Sequence, residues 1–126
     1  MTNKAKSRFS KYAPFYDLLY EDKDYGGEAY FISELIKEFK NDKKLTLLDA
    51  GCGTGIHAIE LSKLGYILEG SDISKEMIEI AREKVKKANI SVKFHNESFQ
   101  TLNKIKGRFD VILCMFSSIN YLTSLV

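Results

Sequence analysis

The residues best placed to do chemistry fall in two short stretches. The first is LLDAGCGTG, residues 47–55, where glycines at 51, 53 and 55 follow the acid Asp49. The second is GSDIS, residues 70–74, which places another acid, Asp72, 19 positions after Gly53. Glycines at alternate positions remove the Cβ atoms where a chain turns sharply and a ligand must approach its backbone. A dinucleotide fingerprint would read G-x-G-x-x-G. Here the position three after Gly53 is Ile56, and the pattern is D-x-G-x-G-x-G.

The charges decide what such a turn can hold. A carboxylate at Asp49 repels a pyrophosphate and attracts a cation. S-adenosylmethionine carries an ammonium and a sulfonium, so the charge logic favours it over a nicotinamide dinucleotide. Asp72 is placed to accept hydrogen bonds from ribose hydroxyls, a device shared by dinucleotide enzymes. Asp72 alone therefore does not discriminate; the two acids together with the glycine spacing do.

These residues need a scaffold of alternating strands and helices, and the chain supplies one. Residues 45–50 read as a buried strand and 54–64 as a helix closed by Gly65. Residues 66–71 read as a second strand. Ser74 is a plausible N-cap for a helix with Met77, Ile78, Ala81, Val85 and Ala88 on one face. Residues 90–95 read as a third strand, 99–105 as a weaker helical stretch and 109–116 as a fourth strand. Apolar strands alternating with helices predict an α/β fold, with a parallel sheet covered on both faces. Both acids then fall at carboxyl ends of strands, where open α/β sheets bind ligands. Ahead of this alternation, Phe9, Tyr12 and Tyr16 sit at helical spacing with Pro14 near the first turn. After Gly26-Gly27, the residues Phe31, Leu35, Ile36 and Phe39 predict an amphipathic helix. The expected organisation is a helical cap or lid over 1–40 and a cofactor-binding half-domain over 41–126.

The composition narrows the classes of partner. With 19 basic and 17 acidic residues in 126, the net charge is +2. That is too even to favour nucleic acid or an anionic membrane as the main partner. No apolar run approaches a membrane span, and MTNKAKSRFSKY lacks the apolar core of a signal peptide. Cys52 and Cys114 form no C-x-x-C or metal-type cluster. The expectation is a reduced, cytoplasmic protein without a metal site.

At LLDAGCGTG and GSDIS the chain resembles the class I S-adenosylmethionine-dependent methyltransferases, and the resemblance runs over nearly its whole length. The segments YAPFYDLLYEDKDY and CMFSSINYL make it more similar to sugar-nucleotide N,N-dimethyltransferases and their small-molecule relatives. The resemblance implies a Rossmann-like methyltransferase fold with strand order 3-2-1-4, truncated after the fourth strand. It implies that Asp49 and Gly51 lie against the methionine end of the cofactor, that Gly53 is also cofactor-binding, and that Asp72 holds the ribose. Ile73 and Met77 would pack near the adenine, and Met115 would contact the cofactor. Tyr20 and Tyr25 would close over the methionine end, with Tyr12 nearer a substrate. The position that meets the adenine amino group corresponds to Ser98, with Glu97 adjacent. The sugar-nucleotide enzymes carry glycine where this chain has Asn120, which suits the wider group better.

The function so implied is methyl transfer to a nitrogen or oxygen of a small molecule. A non-catalytic cofactor-binding or interaction fragment is the alternative, and a nicotinamide-dependent oxidoreductase a weaker one. No residue is singled out as a catalytic base. His57 and His95 read as packing or solvent residues, Cys52 as a small residue in the turn, and Cys114 as core. Ser117, Ser118 and Asn120 fall at a strand's carboxyl end, where loop and site roles are equally open. An apolar fourth strand at the sheet edge predicts self-association through residues 111–116.

Overall fold

A computed structural model of the chain describes residues 24–40 and 44–115. Four parallel strands form one sheet in the order β3-β2-β1-β4. They are β1 (Thr46–Ala50), β2 (Ile67–Ser71), β3 (Lys93–His95) and β4 (Val111–Cys114). The helices are α1 (Tyr25–Phe39), α2 (Ile56–Lys63) and α3 (Lys75–Ala88), and Phe99–Lys104 forms a 3-10 helix. The expected helix through Phe9, Tyr12 and Tyr16 lies outside the described residues, as do Tyr20, Ser117, Ser118 and Asn120.

Strand pairing sorts the side chains into two faces. Leu47 pairs with Leu68 and Val111, and Gly70 with Phe94, so these residues share one face. Leu47, Leu68 and Phe94 form a cluster there with Ala29 and Ile36 of α1, Ala58 and Leu61 of α2, and Ile78, Ala81 and Val85 of α3. All three helices thus contribute buried side chains to that cluster. Every residue of β1 after Thr46 is buried, as expected of a central parallel strand.

Local signals account for most of the element ends. The Asp24 side chain caps α1 by accepting from Gly27 N–H at 2.9 Å. Ser74 caps α3, its Oγ accepting from Met77 N–H at 3.2 Å, an arrangement worth about 1 kcal/mol. Helix α2 starts at Ile56, two residues later than expected, because Gly55 N–H turns back to Cys52 O at 3.0 Å. Strand β3 is shorter than the expected 90–95. Asn89 leaves α3 in the left-handed conformation, and Ile90 N–H closes onto Val85 O at 2.9 Å. Residues 90–92 thus belong to the helix exit, although Ile90 and Val92 still pack on the core. The expected strand over 109–116 begins only at Val111. Asp110 ties its start to β1, accepting from Thr46 N–H at 2.8 Å.

Three burial expectations are corrected. On α1, Phe31, Leu35 and Phe39 are 64%, 43% and 88% exposed, and only Ile36 of the predicted stripe is buried. The packed face is instead Ala29, Ser33 and Ile36. Ser33 belongs inside because its hydroxyl pairs with Tyr66 Oη at 2.7 Å. Cys114 is exposed rather than core. Along β4 the side chains alternate, Val111 and Leu113 packing on the cluster while Ile112 is 58% exposed. Ala88, at the end of α3, is also exposed. No described helix is long and apolar enough to cross a membrane.

Candidate cofactor site

Strand β1 pairs with β2 on one side and β4 on the other, while the chain order runs β1, β2, β3, β4. The direction of winding reverses beside β1, so a crevice opens outside its carboxyl end. The glycine turn leaves β1 at that place. Gly51 N–H and Cys52 N–H both donate to Ser71 O, at 2.7 and 2.8 Å, which hangs the turn from the end of β2. Gly51, Gly53 and Gly55 all have positive φ. At Gly55 (φ +82°) a Cβ would also lie 2.7 Å from Phe94 Cζ, so conformation and space both require glycine there.

Asp72 joins the turn to the start of α3. Its Oδ2 accepts from Gly53 N–H and its Oδ1 from Ser74 N–H, each at 2.9 Å. A carboxylate offers about four acceptor positions, so these backbone amides do not exhaust its capacity and a ribose hydroxyl can still be accepted. Burial raises the Asp72 carboxyl above the ordinary carboxylate range, and the amides of Ser74, Gly53 and Ile73 oppose that shift. Asn96 extends the arrangement: its Nδ2 donates to Asp72 O and Ile73 O at 3.0 Å each.

Asp49 has the opposite surroundings. It is 0% exposed. Neither carboxyl oxygen has a hydrogen-bond partner among the described residues. Burial, reinforced by the charge of Asp72, pushes its carboxyl up to about 7. An orphaned buried carboxyl beside a second acid fits a cationic ligand group and disfavours a phosphate. The donor set therefore fits the ammonium-bearing end of S-adenosylmethionine.

The other predicted residues take varied positions. Ile73 is half-buried directly after Asp72. Met77 is 1% exposed, behind Asp72 in the first turn of α3. Ser98 caps the 3-10 helix, with its Oγ 3.2 Å from Gln100 N. Met115 borders a cavity of about 540 Å³ beside α1, together with Asp24, Glu28, Phe31, Ile32 and Leu35. Tyr25 sets its ring edge-on to His57, with centroids 5.2 Å apart. Tyr12 and Tyr20 lie outside the described residues.

Sequence reasoning did not single out Asn96, Asp24 or Glu28. Glu28 Oε2 lies 3.1 Å from His57 Nε2, joining α1 to the first turn of α2. No local pattern marks that pair, whose members are 29 positions apart. Both histidines, which the sequence reading took as packing or solvent residues, face a glutamate: His57 on α2 meets Glu28 of α1, and His95 pairs with Glu69 at 2.6 Å. Cys52 is buried, and burial drives its thiol well above its ordinary range, which disfavours the reactive thiolate.

A parallel sheet of this order, with a glycine turn and an acid at its switch point, defines a Rossmann-like fold. Residues 47–125 match the methyltransferase domain family. The chain belongs to that family. It is 34% identical over 112 residues to a dTDP-3-amino-3,6-dideoxy-alpha-D-glucopyranose N,N-dimethyltransferase of Streptomyces fradiae, covering 87% of this chain and 42% of that protein. The crystal structure of DesVI from Streptomyces venezuelae superposes with a TM-score of 0.75 at 31% identity, over 88% of this chain and 45% of that one. SAM-bound CalS10, an amino pentose methyltransferase from Micromonospora echinaspora, gives a TM-score of 0.71 at 28% identity, over 84% and 43% of the two chains. The chain thus spans less than half the length of these relatives. The family assignment agrees with S-adenosylmethionine as cofactor and decides against the nicotinamide alternative.

Proposed function

We propose that this chain is the cofactor-binding part of an S-adenosylmethionine-dependent methyltransferase acting on a nitrogen or oxygen of a small molecule. The observation that carries the reading is Asp49, buried at the end of β1 just before the glycine turn and without a hydrogen-bond partner among the described residues. In this reading Asp49, Gly51 and Gly53 bind the methionine end, Asp72 the ribose, and Ile73 and Met77 the adenine side. The cofactor supplies an activated methyl on a good leaving group. The protein's part is then to align the acceptor with that methyl and exclude water.

The relatives named as acting on amino sugars support a nitrogen acceptor. Others of comparable identity are named as O-methyltransferases of ubiquinone biosynthesis, which keeps oxygen in the proposal. Incubation with methyl-labelled S-adenosylmethionine and panels of small amines and phenols tests it. Label is expected in a small molecule from one panel; label only in nucleic acid would contradict the proposal.

Self-association belongs to the same proposal. Among the described residues β4 is an edge strand, and its Ile112 is 58% exposed. An apolar edge of this kind pairs readily with a second copy. Light scattering is expected to register a dimer, and a monomer at high concentration would contradict it.

A further inference from the structure

We propose that Asp49 is a neutral carboxyl in the ligand-free domain and surrenders its proton to solvent when an ammonium docks beside it, so that cofactor binding is coupled to proton release. The inference rests on the S-adenosylmethionine reading above and adds a charge-selection step to it. An ionised carboxylate needs water, donors or a cation around it. Asp49 is 0% exposed, and neither oxygen has a partner among the described residues. The groups that couple to it electrostatically are Asp72, after β2, Cys52 in the turn and Cys114 at the end of β4. None is a cation. The adjoining helices place Asp24 and Glu28 of α1 and His57 of α2 towards this end of the sheet, and none of them bonds to Asp49. Burial and the neighbouring acid Asp72 thus both favour the protonated form.

A ligand ammonium reverses that balance. It supplies both a charge and donors to the orphaned oxygens, so the carboxyl ionises and one proton leaves for solvent. A carboxyl pushed up to about 7 is half protonated at neutral pH. Binding is then expected to release about half a proton per ligand at about pH 7 and nearly a whole one at about pH 6. Affinity accordingly falls by up to about tenfold for each pH unit below 7.

Calorimetry of the chain with S-adenosylhomocysteine, in two buffers of different ionisation enthalpy, counts these protons. Release is expected with this ligand, but not with 5′-methylthioadenosine, which keeps the nucleoside and lacks the ammonium. Asp49→Asn is expected to abolish the release. Binding without proton exchange, or release that survives in Asp49→Asn, would overturn the inference. Carbon-13 NMR of the ligand-free chain tests it separately from the cofactor reading. The Asp49 carboxyl is expected to titrate near neutrality, and a midpoint in the ordinary carboxylate range overturns the inference whatever binds. A near-neutral midpoint without any binding of S-adenosylhomocysteine would instead overturn the cofactor reading and the coupling with it.

Discussion

Replacing Gly55 by alanine is expected to lower the unfolding free energy by about 2–5 kcal/mol, a large fraction of the ~5–15 kcal/mol that holds a domain of this kind together. Two separate costs combine. The residue sits at φ +82°, where a Cβ adds about 1–2 kcal/mol. The new atom would also lie 2.7 Å from Phe94 Cζ and 3.1 Å from Ala81 Cβ, and such overpacking costs about 1–3 kcal/mol. Phe94 is 5% exposed and held between β2 and α3, so its ring cannot step aside. Urea unfolding measures the loss. Gly107→Ala serves as the comparison, because Gly107 also has a positive φ (+116°) but nothing within 4 Å of its would-be Cβ. It is expected to lose the backbone contribution alone. Equal losses at the two positions would show that the crowding against Phe94 is relieved at no cost.

The second large effect is on binding. Asp72→Ala is expected to weaken S-adenosylhomocysteine by about 100-fold or more. Hydrogen bonds to a charged acceptor contribute about 1.5–3 kcal/mol each, and two ribose hydroxyls would lose theirs. The substitution also strips an acceptor from Gly53 N–H and from Ser74 N–H, both bonded at 2.9 Å, so the turn loses its tie to α3. Asp72→Asn separates the two contributions. An amide offers one oxygen, so it satisfies one of the two backbone donors and points an N–H at the other. It should therefore bind little better than alanine. Affinity within a few-fold of the parent for Asp72→Ala would remove Asp72 from the ribose site.

The parts legible in the sequence are those fixed by local chemistry. The run from Leu47 to Gly55 encodes a buried strand, a sharp turn and a helix start. The structure places them so, in a parallel sheet as β-α alternation predicts, with the strand order that the family resemblance implied. Ser74 was readable as a cap, and Met77, Ile78, Ala81 and Val85 as an inner face. What escaped depends on partners distant in sequence. Ser33 is buried through Tyr66, 33 positions away, so the inner face of α1 could not be chosen from apolar spacing. Its exposed Phe31 and Phe39 look like core because hydrophobicity does not say which side a sheet will approach. Cys114 failed for a related reason. An apolar run predicts a strand buried on both faces, whereas β4 is covered on one. Asn96, bridging two carbonyls after β3, has no spacing signature at all.

The role of Asp49 was legible only in part. Its charge pointed to a cationic ligand, but its isolation from every described donor is a property of the folded domain. That isolation gives the acid its meaning. A carboxyl left without partners inside an otherwise well-packed domain is costly, and under the proposed reading a ligand ammonium would remove the cost. The family assignment and the geometry therefore point to one ligand by independent routes.

Isothermal titration calorimetry of the unmodified chain with S-adenosylhomocysteine, run beside NADH, tests this account most directly. Saturable binding of S-adenosylhomocysteine with no heat from NADH is the predicted result. Selective binding of NADH would contradict it.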